Sequence, residues 1–312
     1  MPKLHRKDFL CVQDFSASEI RDLLEFGLKL KRGQILNPST LLTGKSLGMI
    51  FQKPSTRTRV SFEVGMTKLG GHALYLNAQD LQLGRNETIA DTAKTLSRYA
   101  DGLMVRLYQH EDAVKLAQNA SIPVINGLTD RFHPCQALAD VLTIQEKKGQ
   151  VTDTKIAFVG NAHDNVAHSL VLCATKLGAN VRVAAPKAYQ PSEEVTRWAQ
   201  QNAKQSQGSL LVTESVDEAV TGVDVVYADT WVSMGQEEEK KKRLSDLDGY
   251  QVTQAVMNKT SHAIFMHDLP AYRGVEVAAD VIDGPHSVVF DQAENRLWAQ
   301  NAVLVALLGE QK

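Results

Sequence analysis

The feature that most constrains this chain is a repeated rhythm: a short apolar run, a turn, then a stretch with helical spacing. Apolar runs fall at 47–51, 73–76, 102–105 and 122–125, and helical stretches at 57–69, 88–99 and 110–119 lie between them. Continuous apolar runs alternating with helices describe strands buried on both faces, hence a parallel sheet covered by helices. Before the first run, Ser16 and Glu19 form a capping-box pattern ahead of Ile20, Leu23, Leu24 and Leu28, which share one helix face. The rhythm restarts after a helix near 134–147, with runs at 155–159, 181–185, 210–212, 223–228 and 263–266. A chain of 312 residues is long enough for about two domains. The expected fold is therefore α/β: two domains, each a parallel sheet flanked by helices, joined by bridging helices that include the last one. The expected divisions are 1–148, 149–291 and a C-terminal helical segment 292–312 that packs back on the first domain.

Several function classes drop out early. The net charge is −2 and no polybasic run occurs, so neither nucleic acid nor a membrane surface is indicated as a partner. No apolar stretch approaches the ~18 residues of a transmembrane helix, and the start, Met1 to Asp8, has no apolar segment of a signal peptide. Cys11, Cys135 and Cys173 are too few and too scattered for a disulfide framework or a zinc site, which suggests a reduced, cytoplasmic protein. The first strand of the second half ends in Phe158-Val159-Gly160-Asn161-Ala162-His163, where a dinucleotide-binding turn would sit. Only Gly160 is a glycine there, so the glycine fingerprint for a pyrophosphate is absent.

The segment Lys53-Pro54-Ser55-Thr56-Arg57-Thr58-Arg59 gathers hydroxyls and guanidinium groups at the start of a helix. A helix N-terminus offers open N–H donors and the positive end of its dipole, and Arg presents forked donors that match phosphate oxygens. The plain alternative is a capped, solvated helix start.

With the other motifs, the segment resembles the phosphate signature of the aspartate and ornithine carbamoyltransferase family. Gln82-Leu83-Gly84-Arg85, Arg106 ahead of His110-Glu111, Phe132-His133-Pro134-Cys135-Gln136, Asp229-Thr230-Trp231-Val232-Ser233-Met234-Gly235, His267-Asp268-Leu269-Pro270 and Ala293-Glu294-Asn295-Arg296 follow in the family's order. The Ser-Met-Gly segment and the Phe-His-Pro-Cys-Gln form resemble the ornithine branch. The resemblance implies that Ser55, Thr56, Arg57, Thr58 and Arg59 contact the phosphate of carbamoyl phosphate, and that Arg106 spans phosphate and carbonyl oxygen. It implies that His133, Gln136 and Arg296 polarise the carbamoyl group, with Pro134, Cys135, Asp268 and Leu269 also lining that ligand. Gln82 would serve the neighbouring subunit of a homotrimer. Asn165, Asp229, Ser233 and Met234 would hold ornithine, with Asp229 facing its side-chain amine. No metal or redox cofactor is implied. Taken singly, each residue has a structural alternative: Gln82 and Gln136 as surface polarity, Arg106 as an ion-pair partner, His133 and Asp229 as caps, Met234 as packing under a loop.

One departure stands out. The ornithine branch has His-Cys-Leu-Pro where this chain has His267-Asp268-Leu269-Pro270. A second carboxylate near Asp229 holds an amine in its ammonium form and opposes attack. Asn161 and Asp164 stand where the family has Asp and Asn, Tyr272 follows Leu-Pro-Ala where His is usual, and Trp298 follows Asn-Arg-Leu where His is frequent. Three functions remain open from sequence: ornithine carbamoyltransferase, a carbamoyltransferase for another amine (putrescine, acetylornithine or lysine), and a weakly catalytic carbamoyl-phosphate-binding protein.

Overall fold

The computed structural model describes residues 1–82, 87–232 and 237–310. They form two compact units, Met1–Leu142 with Glu294–Lys312, and Thr143–Ala293. In the first unit, α1 (Ala17–Lys31) opens with the expected capping box: the Ser16 hydroxyl accepts from the Glu19 N–H and the Glu19 carboxylate accepts from the Ser16 N–H. Then follow β1 (Ser46–Phe51), α2 (Thr56–Lys68), β2 (His72–Asn77), α3 (Ile89–Leu96), β3 (Gly102–Arg106), α4 (His110–Asn119), β4 (Val124–Leu128) and α5 (Pro134–Lys148). The four strands are parallel in the order β2-β1-β3-β4. β3 and β4 are buried along their whole length. Ile50, Leu103 and Val105 pack with Ala93, Ala113 and Leu116 of α3 and α4, each large aliphatic contributing about 1.5–3 kcal/mol by leaving water. β4 starts at Val124 rather than at 122, and Pro123, which has no N–H to donate to a ladder, sits just before it.

The second unit holds β5 (Lys155–Val159), α6 (Asn165–Lys176), β6 (Asn180–Ala184), α7 (Glu193–Ser206), β7 (Ser209–Thr213), α8 (Val216–Val220), β8 (Val225–Ala228), α9 (Lys240–Asp246), α10 (Gln254–Met257), β9 (Ile264–Met266) and α11 (Ala279–Ile282). Its strands are parallel in the order β7-β6-β5-β8-β9. Every residue of α6 is buried. The last helix is α12 (Val289–Leu308). The chain leaves the first unit within α5 and returns to it within α12, so both divisions fall inside helices and not in loops. Two glycines admit α12 to the first unit. A Cβ on Gly27 would lie 3.1 Å from the Trp298 carbonyl oxygen, and one on Gly65 would lie 2.3 Å from Asn301 Oδ1. Among the described residues, no helix is long and apolar enough to cross a membrane.

Both sheets reverse direction in their interior. In the first, β1 leads outward to β2 and the chain then crosses to β3; in the second, the same reversal lies between β5 and β8. At such a switch point the loops beyond the carboxyl ends of the two strands diverge, leaving a crevice for ligands. Phe51 pairs with Arg106 at that end of the first sheet, and Val159 with Ala228 at that end of the second. The Lys53–Arg59 segment and Arg106 lie at the first of these points, and Asn165 and Asp229 follow the strands of the second.

Candidate active site

In the first unit, Ser55 follows β1 and caps α2, its hydroxyl accepting from the Thr58 N–H at 3.2 Å. The positive end of the α2 dipole therefore faces the crevice. Thr58 is buried, and its Oγ1 accepts from Arg296 Nη2 at 3.1 Å. Arg296, 3% exposed, also donates from Nη1 to Gln136 Oε1 (2.7 Å) and from Nε to Gln300 Oε1 (2.9 Å). Gln136 Nε2 donates to Asp140 Oδ1 at 2.8 Å, and Gln300 Nε2 to Ser61 Oγ at 2.7 Å. The guanidinium is thus fixed from α2, α5 and α12 at once. Arg106, buried at the end of β3, accepts on its carbonyl from the Gln52 N–H, which ties the β1 loop to β3.

His133 is buried just before Pro134, the first residue of α5. Burial first, then the charges of Arg296, Arg106 and Arg57, hold its pKa well below the usual histidine range. At neutral pH it is an uncharged imidazole, able to donate one N–H without adding charge. Burial pushes the Cys135 thiol up to about 12, against a smaller opposing effect of Arg296, so Cys135 is a packed thiol and not a nucleophile. Arg59 does not join the cluster. Its guanidinium lies 3.8 Å from the Tyr75 ring centroid and its Nε donates to Glu63 Oε1 at 3.1 Å. Residues two apart on a helix point to nearly opposite sides, so Arg57 and Arg59 cannot both face the crevice. Thr56 and Gln82 are exposed. Leu83, Gly84 and Arg85 lie outside the described residues.

In the second unit, Asp229 follows β8 and is 4% exposed. Its Oδ1 accepts from the Thr230 N–H at 2.6 Å. Burial, and then the neighbouring carboxylate of Asp268, raise its pKa well above the usual aspartate range. Asn165 is buried at the first turn of α6, with its N–H donating to Asp164 Oδ1 at 2.7 Å. Leu269, at φ +60°, donates its N–H to His267 Nδ1 at 2.9 Å and is packed against the core. Ser233 and Met234 lie outside the described residues.

Ligand atoms of Asp229, His267 and Asp268 lie within 4.8 Å of one another, a spacing that could hold a metal ion. The donor set does not fit one. His267 Nδ1 already accepts from Leu269, and its Nε2 faces Glu276 Oε1 at 3.2 Å, so a cation there would meet only carboxylates. The sequence also hid what replaces a dinucleotide at Gly160. That residue has φ +114°, and a Cβ on it would lie 2.9 Å from Trp231 Nε1: the close approach that glycine permits is taken by an indole. Gln300, Ser61, Asp140 and Glu276 were likewise missed. The signal for them was polarity at positions that helical or strand-end spacing places inside.

The description "Aspartate/ornithine carbamoyltransferase, carbamoyl-P binding domain" matches residues 7–146, and "Aspartate/ornithine carbamoyltransferase, Asp/Orn binding domain" matches 152–307. The ornithine carbamoyltransferase of Pyrococcus abyssi is 56% identical over 308 residues, covering 98% of this chain and 97% of that protein. That of Anoxybacillus flavithermus is 52% identical over 308 residues, covering 98% of each. The solved structure of ornithine carbamoyltransferase from Pyrococcus furiosus superposes with a TM-score of 0.94 at 55% identity, covering 98% of both chains. Two parallel-sheet units with basic and acidic clusters at their switch points are the frame of a carbamoyl-transfer enzyme. The chain belongs to the aspartate/ornithine carbamoyltransferase family.

Proposed function

We propose that this protein transfers the carbamoyl group of carbamoyl phosphate to the side-chain amine of ornithine, giving citrulline and phosphate. The observation that carries this reading is the buried neutral His133 under the charges of Arg296, Arg106 and Arg57. Such a cluster suits a dianionic acyl phosphate whose carbonyl oxygen gains negative charge under attack. Ser55, Thr56, Arg57 and Thr58 hold the phosphate at the N-terminus of α2. Arg106 bridges phosphate and carbonyl oxygen, while His133, Gln136 and Arg296 donate to the carbamoyl group. Pro134 and Cys135 shape the wall behind them, and Leu269 that beside Asp268. On the acceptor side Asp229 faces the amine, and Asn165 with Ser233 and Met234 takes the amino-acid end. Arg59 is left to the helix surface.

A free alkyl amine resembles lysine, with a pKa of about 10.4, so at neutral pH it arrives protonated. The protein has to bind the ammonium, remove one proton and align the lone pair with the carbamoyl carbon; positioning of this kind supplies much of the rate. The names of relatives at 50–56% identity favour ornithine over other amines. We further assign the protein to the cytoplasm, to arginine biosynthesis and to a homotrimer in which Gln82 reaches a neighbouring subunit. The test is direct: incubation with carbamoyl phosphate and a panel of ornithine, acetylornithine, putrescine and lysine, with quantification of each product. Citrulline as the dominant product supports the reading, and carbamoylation of another amine in its place refutes it. A stable, fully active monomer refutes the role of Gln82.

A further inference from the structure

Two carboxylates in contact repel unless a proton lies between them. Asp229 and Asp268 leave neighbouring strands, β8 and β9, and their carboxylate oxygens come within 4.8 Å of each other, in side-chain contact. Both are largely removed from water, and Asp268 Oδ1 is buried with no donor directed at it. Carboxylate oxygens only accept, so the contact requires one protonated carboxyl. The surroundings do not supply that proton otherwise. The Thr230 N–H serves Asp229 Oδ1, and Asp164 adds negative charge. His267 Nδ1 lies 3.5 Å from Asp268 Oδ1, but it accepts from the Leu269 amide, so the ring proton sits on Nε2 toward Glu276.

Resting on the ornithine reading above, we propose that Asp229 and Asp268 share one proton in the resting protein and exchange it for a proton of the acceptor amine. The cationic amine makes the fully ionised pair favourable, so its entry expels the shared proton to solvent. The ionised pair then takes one proton from the ammonium nitrogen, restoring the shared-proton state and leaving a neutral amine. That lone pair forms the N–C bond, the C–O bond to phosphate breaks, and the second amine proton leaves on the phosphate. One proton has gone to solvent and one to phosphate, which balances conversion of an ammonium to a urea nitrogen. Burial, and then the charge of Asp268, make ionised Asp229 a stronger base than a solvated aspartate, and each unit gained in its pKa favours the transfer tenfold. Asp268 therefore assists attack, the reverse of the simple expectation that a second carboxylate traps the ammonium.

The test is calorimetric titration of the whole protein, with inorganic phosphate present, in buffers of different ionisation enthalpy. Ornithine should release about one proton on binding near neutral pH, and norvaline, which has the same carbon chain without the side-chain amine, should release none. Asp268→Asn should abolish the release, move the acid limb of kcat to lower pH and reduce the plateau on the order of 100-fold. Asp268→Cys should lose the release in the same way and serves as the second variant if Asn does not fold. Citrulline formation without proton release, or release unchanged in both variants, overturns the exchange while leaving the acceptor assignment standing. No ornithine binding and no citrulline overturns the acceptor assignment, and the exchange with it.

Discussion

Thr58→Val tests whether the Arg296 network is built as described. The two side chains have nearly the same shape, so the change opens no cavity. It deletes one acceptor: Thr58 Oγ1, which receives Arg296 Nη2 at 3.1 Å. Thr58 is 1% exposed and Arg296 3%, so water cannot replace the lost partner. A hydrogen bond to a charged group is worth about 1.5–3 kcal/mol, and an orphaned buried donor forfeits that amount. For a unit of this size, ~1 kcal/mol corresponds to ~2–4 °C in Tm, so the variant should melt about 3–12 °C lower without ligand. Thr56→Val is the control: Thr56 is exposed one residue from the cap and should change stability by no more than about 0.5 kcal/mol. Scanning calorimetry of both variants reads the difference. A double-mutant cycle with Arg296→Met should return a coupling of the same size, since the interaction is direct. A Thr58→Val protein melting within about 1 °C of the parent would refute the reasoning, because no other change accompanies the lost acceptor.

Three further outcomes follow from the clusters. Arg57→Ala removes one of the three charges that bear on His133 and should weaken carbamoyl phosphate binding by about 1.5–3 kcal/mol in calorimetric titration; unchanged affinity contradicts its assignment. His133→Ala removes a neutral donor and should lower kcat by about 10²–10³-fold with a smaller effect on carbamoyl phosphate affinity, measured by steady-state citrulline formation. Asp229 has its pKa raised in the folded protein, so it binds a proton there that it has lost in the unfolded chain. Its stabilising contribution is complete below its unfolded pKa, about 4, and is lost as pH rises through the folded value. Asp229→Asn should therefore gain stability relative to the parent between pH 5 and pH 8, and melting curves with a constant offset across that range would count against the shift.

β1, β3, β4, β5 and β8 were legible because parallel strands buried on both faces read as unbroken apolar runs, whereas β2 and β7 at the sheet edges are partly exposed. The start of β4 was misplaced by two residues, where the apolar residue Ile122 lies ahead of Pro123. The unit limits at Leu142 and Ala293 lie within α5 and α12, near the expected 148 and 291, because each helix continues while its packing partner changes. Ser55 to Thr58 could be placed at a helix N-terminus from their order alone. Arg59 was grouped with them by adjacency, although helical geometry already separates it from Arg57 and leaves it over Tyr75. Nothing in the sequence singles out Gln300 or Ser61, because their partnership spans the chain from α2 to α12. Asp268 could be seen as a departure from a motif and as a second carboxylate near Asp229, but not as one whose oxygens meet those of Asp229. Its meaning depends on Asp229 in the neighbouring strand's loop and on His267 having spent both ring nitrogens.

A net charge of −2 conceals a strong internal separation. In the first unit burial, and then three guanidiniums, keep one histidine neutral, so a dianion meets fixed positive charge without proton exchange. In the second unit burial, and then the charges of Asp268 and Asp164, raise the pKa of Asp229, so a cation meets a carboxyl whose charge depends on a proton. The two kinds of site do different work in the proposed reaction. The carbonyl oxygen gains negative charge during attack and needs donors that are already in place, which Arg296 provides because α2, α5 and α12 all hold it. The amine has to change protonation before it can attack, and fixed charges cannot accomplish that; a pair of carboxylates whose ionisations are coupled can. Replacing the branch's cysteine by Asp268 therefore alters the titratable half of the chemistry while leaving the fixed half untouched, and its effect should appear in proton release and pH profile and not in the affinity for carbamoyl phosphate.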